Sequence, residues 1–282
     1  MAKKSPKWNE RKKQEFILSG RGQGTGKDYK PWITIQDFSS QGRASRVYGW
    51  KTKRIHHLLT DLQTKYFYLL EWTDSVIDIR EQYPLLDFDA VVKDKEDLNL
   101  TLFCDKESHI PYVISTTFLV TCRNKSGDIR YAARSLKVSS ELEKKTSLEK
   151  LEIERRYWQE KGINWGVVTQ KEIPNALSRN IEWIHSSLLD FENRGFTHVE
   201  MQFMCNALID KIEKNIKVMR EIICEYDEEF NFEAGTGLFI FKYLIATKQL
   251  KVDMNKKIDI NKLISADILI TYGEGERLNA TS

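Results

Sequence analysis

Residues 7–19 (KWNERKKQEFILS) place Trp8, Phe16, Ile17 and Leu18 on one side of a short helix. Residues 55–71 (IHHLLTDLQTKYFYLLE) are apolar at three- and four-residue spacing, so Leu59, Leu62, Tyr66, Leu69 and Leu70 form a helical stripe. Thr60 and Asp61 fall inside that helix, and Gln63 shares a face with Leu59, Tyr66 and Leu70. Three strand-like runs follow, Ser75–Arg80, Tyr112–Thr121 and Ile129–Val138, with Ser126-Gly127-Asp128 as the turn between the last two. A charged helix over Ser140–Lys161 is expected to bury Leu148, Leu151, Tyr157 and Trp158, and Gly162 closes it. Asn164–Gln170 then reads as a buried strand. Strands, helix, strand in that order predict a mixed α/β core ending near residue 170, and Pro174 marks a boundary.

The pattern beyond is different. From Asn175 to Tyr226 it is helical, with Trp183, Leu188, Leu189, Phe203, Leu208, Ile212, Ile216, Met219 and Ile222 at three- or four-residue spacing. Gly235–Leu250 reads as another helix and Lys251–Met254 as a short strand. Helices followed by a β segment permit a winged-helix module. The acidic run Glu225–Glu229 argues against its sitting on phosphates and favours a protein partner.

Composition narrows the class. With 282 residues, 41% hydrophobic and 30% charged, the chain is about two ordinary globular domains and is neither collagen-like nor wholly disordered. No run nears the roughly 20 apolar residues that span a bilayer, so no membrane role is expected. The leading residues MAKKSPKWNERKKQEF lack the apolar core of a secretory signal. Cys104, Cys122, Cys205 and Cys224 lie far apart without a C-x-x-C pair, which indicates neither a zinc site nor a disulfide framework. The expected setting is a reduced cytoplasm.

Charge is distributed unevenly. Residues 1–60 carry 14 Lys and Arg against four acids, although the whole chain nets only +3. A basic leading segment on an acidic body fits contact with a polyanion; it also fits a solvated tail. Within it, Gly20–Trp32 (GRGQGTGKDYKPW) invites comparison with a nucleotide loop, but the spacing fails. Arg21 stands where a P-loop needs its first glycine, and Asp28 follows Lys27 where Ser or Thr is required. What remains is a flexible basic loop able to lie along a phosphate backbone. His56 and His57, read on a helix, point about 100° apart, which favours packing or phosphate contact over a shared metal.

Several words in the chain resemble the TnsA family, the endonuclease subunits of heteromeric transposases in Tns-type bacterial transposons. They are Gly20–Trp32, Arg54–Leu62 (RIHHLLTDL, read as helix), Ile77–Pro84 (IDIREQYP), Ser147–Trp158 (SLEKLEIERRYW) and Asn180–Trp183 (NIEW). The likeness covers most of residues 7–185 and is weaker beyond. It implies a restriction-endonuclease-like domain over residues 1–170, a mixed sheet flanked by helices. A mainly helical, winged-helix-like interaction domain would then occupy residues 171–282. It also implies transposon-end DNA, a TnsB-like recombinase and a TnsC-like ATPase regulator as partners, in the bacterial cytoplasm. The family task is to cut the 5′ ends while TnsB cuts the 3′ ends.

The same resemblance implies a Mg²⁺ site made by a helix Glu, a strand Asp and a Gln-x-Lys on the next strand. Here those positions fall on Gln63, Thr117, Ser135 and Lys137, so only the lysine is kept. Mg²⁺ is usually held through one or two carboxylates plus waters, and no matched carboxylate remains. The expectation is therefore a subunit without a metal cofactor that no longer cuts. Such a subunit would contact end DNA through Lys3, Lys4, Lys7, Arg11, Lys12, Lys13, Arg21, Lys27, Arg43, Arg46 and Lys53. Its C-terminal domain would engage TnsB, TnsC or a second TnsA-like chain. The alternative is a working Mg²⁺ nuclease whose ligands have moved, with Asp61, Asp78, Glu81, Asp128, Glu149 and Glu152 as the nearby acids. A third reading is a stand-alone DNA-binding regulator.

Overall fold

In the computed structural model, Val76–Pro84 (β3), Ser115–Arg123 (β4), Ile129–Leu136 (β5) and Asn164–Val168 (β6) form one sheet in the order β3-β4-β5-β6. The structure describes residues 8–37, 43–189 and 194–271. The chain divides into two compact units, Met1–Ile173 and Pro174–Ser282. In the first, β3, β4 and β5 are antiparallel, and β6 joins β5 in parallel after the helix Lys145–Glu160 (α4). A parallel pair needs such a crossover, which is why a long helix separates the last two strands.

The sheet has an apolar face for α4. Leu119 and Ala133 sit opposite each other on β4 and β5, and both are buried with Leu85, Val92, Tyr157 and Trp158. A single helical turn, Phe88–Val91 (α3), packs Phe88 and Val91 against the same cluster. Burial of these large rings is the main local source of stability, at ~25 cal/mol per Å² of apolar surface. The Trp158 indole is also satisfied, donating to Thr116 Oγ1 at 2.8 Å. On α4, Leu148 is 51% exposed and not part of the core as expected. Position 148 sits about 60° around α4 from Leu151, at the margin of the buried face that Ser147, Leu151, Glu154 and Trp158 share; residues 139–143 form a separate 3₁₀ turn. Strand β6 is half-buried rather than buried and ends at Val168, because it is an edge strand.

The run read as one helix over 55–71 is two elements. Ile55–Leu58 (β2) pairs with Ser45–Tyr48 (β1), and the helix starts only at Asp61 (α2, Asp61–Trp72). Thr60 is its cap, with the side chain accepting from the Gln63 N–H, as Thr does at helix starts. The buried face therefore comprises Gln63, Thr64, Phe67, Tyr68, Leu70 and Glu71, while Leu62, Tyr66 and Leu69 are only partly covered. The short helix Glu10–Leu18 (α1) packs through Phe16, which stacks edge-on against Trp8 and Trp32; Leu18 is 85% exposed.

The second unit is helical, with helices Asn175–His185, His198–Lys214, Met219–Glu229 and Thr236–Ala246. Two short strands close it, Leu250–Lys251 and Leu269–Ile270, antiparallel to each other. The strand expected at 251–254 is thus shorter and one residue earlier, and the last helix stops at Ala246. Phe203 and Ile216, expected in the core by spacing, are 57% and 83% exposed. Asn180, from the NIEW word, is buried and binds the backbone of three residues: it donates to the Met254 and Lys256 carbonyls and accepts from the Ile258 N–H. The four cysteines are free thiols. Among the described residues, no helix is long and apolar enough to cross a membrane.

Candidate functional site

Strands β4 and β5 diverge after the pair Phe118↔Arg134, and the residues singled out by sequence lie just past that point. The Thr117 hydroxyl fills the first missing rung, accepting from the Leu136 N–H at 3.0 Å. Gln63 reaches the same end of β4 from α2. Its Oε1 accepts from the Leu59 N–H at 2.8 Å and from Gln82 Nε2 at 3.3 Å, and Ser115 Oγ donates in turn to Gln82 at 3.5 Å. Ser135 and Lys137 fall on one face of the strand, as a period of two requires. Residues distant along the chain are thereby brought to one sheet end.

Ser135 turns towards α4. Its hydroxyl donates to the buried Glu154 carboxylate and accepts from Trp165 Nε1 at 3.0 Å. Lys150, one helical turn before Glu154, stands 3.7 Å from the other oxygen of that carboxylate. Lys137 has Glu141 at 3.7 Å. Burial holds the Lys137 ammonium below the ordinary lysine range, and the nearby Lys150 charge pushes the same way.

A second charged centre ties the basic segment to β3. Glu81 is fully buried and binds Arg54 through both oxygens, at 2.8 and 2.6 Å, and His56 Nδ1 at 2.7 Å. Burial alone would raise its pKa; His56 and Arg54 more than reverse this and hold Glu81 well below the usual carboxylate range. His56 is thus packed against an acid. His57, next along the strand, faces the other way and is only partly covered. Arg54 also donates to the carbonyls of Gly26 and Ile79, and Tyr29 donates to the Glu81 carbonyl. The loop Gly20–Trp32 is further closed by Gly22 N–H to Lys30 carbonyl and Trp32 N–H to Gln82 carbonyl bonds. The expectation of a free loop is corrected to one pinned at several points along β3.

The basic residues differ in availability. Arg21 is committed internally: it pairs with Asp37, donates to the Trp32 carbonyl and lies 3.7 Å over the Phe16 ring. Among the described residues, the ion pairs of Arg11, Lys12 and Lys13 are i,i+3 or i,i+4 pairs with Glu15 and Glu10 along α1, and Lys12 also lies over the Phe16 ring. Lys27, Arg43, Arg46 and Lys53 are exposed. Lys3, Lys4 and Lys7 lie outside the described residues.

Two family models match the chain. The one described as TnsA-like endonuclease N terminal matches residues 73–170, and the one described as TnsA endonuclease C terminal matches residues 172–254. The transposition protein TnsA of transposon Tn7 from Escherichia coli is 38% identical over 259 residues, spanning 91% of this chain and 90% of that protein. The chain belongs to the TnsA family.

The residues expected at the metal positions, Gln63, Thr117 and Ser135, do not fit Mg²⁺. A hard divalent cation needs free, preferably anionic oxygens. Gln63 Oε1 already accepts two hydrogen bonds, and Thr117 Oγ1 accepts from the backbone. Ser135 is engaged by Glu154 and Trp165. Among the described residues, no group of three His, Cys, Asp or Glu side chains is placed to hold a metal.

Four of the six acids weighed as displaced ligands have other partners. Asp78 accepts from the Gly26 N–H and pairs with Arg80, Glu81 serves Arg54 and His56, and Asp128 accepts from Asn124. Glu152 is held by Arg155 and Arg156, whose guanidiniums lower its pKa to about 2 against the opposing effect of burial. Asp61 is exposed in the first turn of α2, and Glu149 is half-buried on α4. Glu154 is the acid that sequence reasoning misses. Its spacing of three from Leu151 and four from Trp158 is the signal that it lies on the buried face of α4.

Proposed function

We propose that this TnsA-family chain serves transposition as a subunit that does not cut DNA. The observation that carries the reading is the state of the expected metal positions: Gln63, Thr117 and Ser135 are neutral, and each spends its oxygen on an internal hydrogen bond. Lys137 remains, half-buried beside Lys150 and Glu141. A lysine that would position water has nothing there to polarise a phosphodiester, and losing one preorganised charge-stabilising group typically costs about 10²–10³ in rate.

The intact scaffold supports a positional role on transposon-end DNA in the cytoplasm, through the exposed cations Arg11, Lys27, Arg43, Arg46 and Lys53. The helical unit would meet a TnsB-like recombinase, a TnsC-like regulator or a second TnsA-like chain. In the last case that second chain does the cutting. Without any 5′ cutting the element would transpose replicatively.

The test is to incubate the full chain with its TnsB-like partner, end-containing DNA and Mg²⁺ or Mn²⁺, and to map 5′ nicks. No partner-dependent 5′ nicks are expected. Robust 5′ nicks abolished by Lys137→Ala would overturn the reading in favour of a nuclease with relocated ligands.

A further inference from the structure

An open cleft of about 450 Å³ lies between the Gly20–Trp32 loop and β2, lined by Arg21, Lys27, Tyr29, Lys30, Arg54 and His57 among others. It is separate from the site at Gln63, Thr117, Ser135 and Lys137. Its charges sort into spent and unspent. Arg21 is neutralised by Asp37 and Arg54 by Glu81. Lys27 is exposed and makes no ion pair among the described residues, and Lys30 gives one of its three donors to the Ser19 carbonyl at 2.9 Å. Arg46 is paired across the hairpin with His57 and adds a further exposed cation nearby. The cleft is therefore net positive, with the excess held by flexible ammonium groups.

His57 contributes a fixed donor. Its Nδ1 accepts from the Ile35 N–H at 3.3 Å, which places the ring proton on Nε2. Burial pushes its pKa down, and the neighbouring Arg46 and Arg54 charges add to this against Glu81 and Asp37, which favours the neutral ring. It can donate without charging.

The ligand is limited by what the loop lacks. A nucleotide phosphate cradle needs several free backbone N–H groups converging on one point. Here the Gly22 N–H is given to the Lys30 carbonyl, the Lys30 N–H to the Gln23 carbonyl and the Gly26 N–H to Asp78. What is left is side-chain donors on an open, basic surface, the pattern used for phosphodiester backbones. We propose that this cleft takes a backbone phosphate of duplex DNA between the Lys27 and Lys30 ammonium groups and His57 Nε2–H. The proposal rests on the reading of the chain as an end-DNA subunit and names where the contact is made.

Binding of the full chain to a labelled end duplex is measured by fluorescence anisotropy between 50 and 200 mM salt. Lys27→Ala is expected to weaken binding about 5–10-fold near 0.1 M salt and to lower the slope of log K against log [salt] by about one. Lys27→Arg restores both. His57→Phe is expected to weaken binding while leaving the slope unchanged, because a neutral donor releases no counterion. Lys256→Ala, on an 83% exposed side chain of the other unit, leaves affinity and slope as they were.

An unchanged slope in Lys27→Ala, or an equal drop in Lys256→Ala, overturns the proposal. So does displacement of the duplex by pyrophosphate at equal concentration, which would point to a nucleotide. A chain that binds no duplex at low salt removes the cleft while leaving the non-cutting reading intact. Mapped 5′ nicks would do the reverse.

Discussion

Ser135 Oγ donates to the Glu154 carboxylate, so a buried acid beside the expected site is bound by a strand residue and by Lys150 instead of facing solvent. The contact forms a packed polar triad, with Trp165 as its third member. Ser135→Ala leaves both the buried Glu154 oxygen and the Trp165 N–H short of a partner. It is expected to destabilise the protein by about 1–3 kcal/mol, measured by urea unfolding. A loss of under ~0.5 kcal/mol would show that water replaces the hydroxyl.

Restoring the acids is the converse experiment. Gln63→Glu, Thr117→Asp and Ser135→Gln together should create measurable Mn²⁺ binding by calorimetry. A carboxylate introduced at position 63 could keep the hydrogen bond from the Leu59 N–H that Gln63 now accepts. No binding by the triple variant would mean that these three positions do not form a metal site in this chain.

Glu81 should govern acid sensitivity. Its folded pKa lies below the usual carboxylate range, so the unfolded chain binds the proton more readily. The stability it contributes is complete above the unfolded pKa and is lost as pH falls through the folded one. Glu81→Gln should cost about 3–5 kcal/mol at pH 7 by leaving Arg54 and His56 without their buried counter-charge. It should also flatten the fall in stability below about pH 4.3. Equal acid slopes for variant and parent would contradict this.

Lys137 offers a direct electrostatic readout. After reductive ¹³C-methylation, its resonance should titrate below those of exposed lysines, since burial and the Lys150 charge both disfavour the ammonium form. Lys150→Met should shift that titration upward. If it stays in place, the two ammonium groups are not coupled.

In the helical unit, Asn180→Ala removes three hydrogen bonds to the 254–258 backbone. A loss of roughly 2 kcal/mol or more is expected in thermal or urea unfolding. Exposed Phe203→Ser, by contrast, should change stability by no more than about 1 kcal/mol.

The sheet strands and α4 were legible because alternation and turn residues agreed locally: Ser126-Gly127-Asp128 sits where β4 turns into β5, and Gly162 ends α4 at φ 65°. Residues 55–58 were not. His56 and Leu58 are buried on the strand while Ile55 is exposed, a period of two too short to show against the helical spacing that follows. The substituted positions could be read off the family words. Their internal bonding could not, since Glu154 looks like one more charge in a charged helix until the fold places Ser135 opposite it. Likewise Arg21 and Arg54 count as cations in the sequence but are cancelled by Asp37 and Glu81 in space.

The first described residue of the chain, Trp8, donates its indole N–H to the Pro111 carbonyl at 3.0 Å, and its own carbonyl accepts from Ser108. The contact joins positions 103 residues apart. At a synthesis rate of roughly 5–20 residues per second, the partner of Trp8 emerges several seconds after it does. Helix α1 therefore waits during translation with Trp8 lacking its dock, and its docking reports that the chain has been made at least as far as the loop before β4.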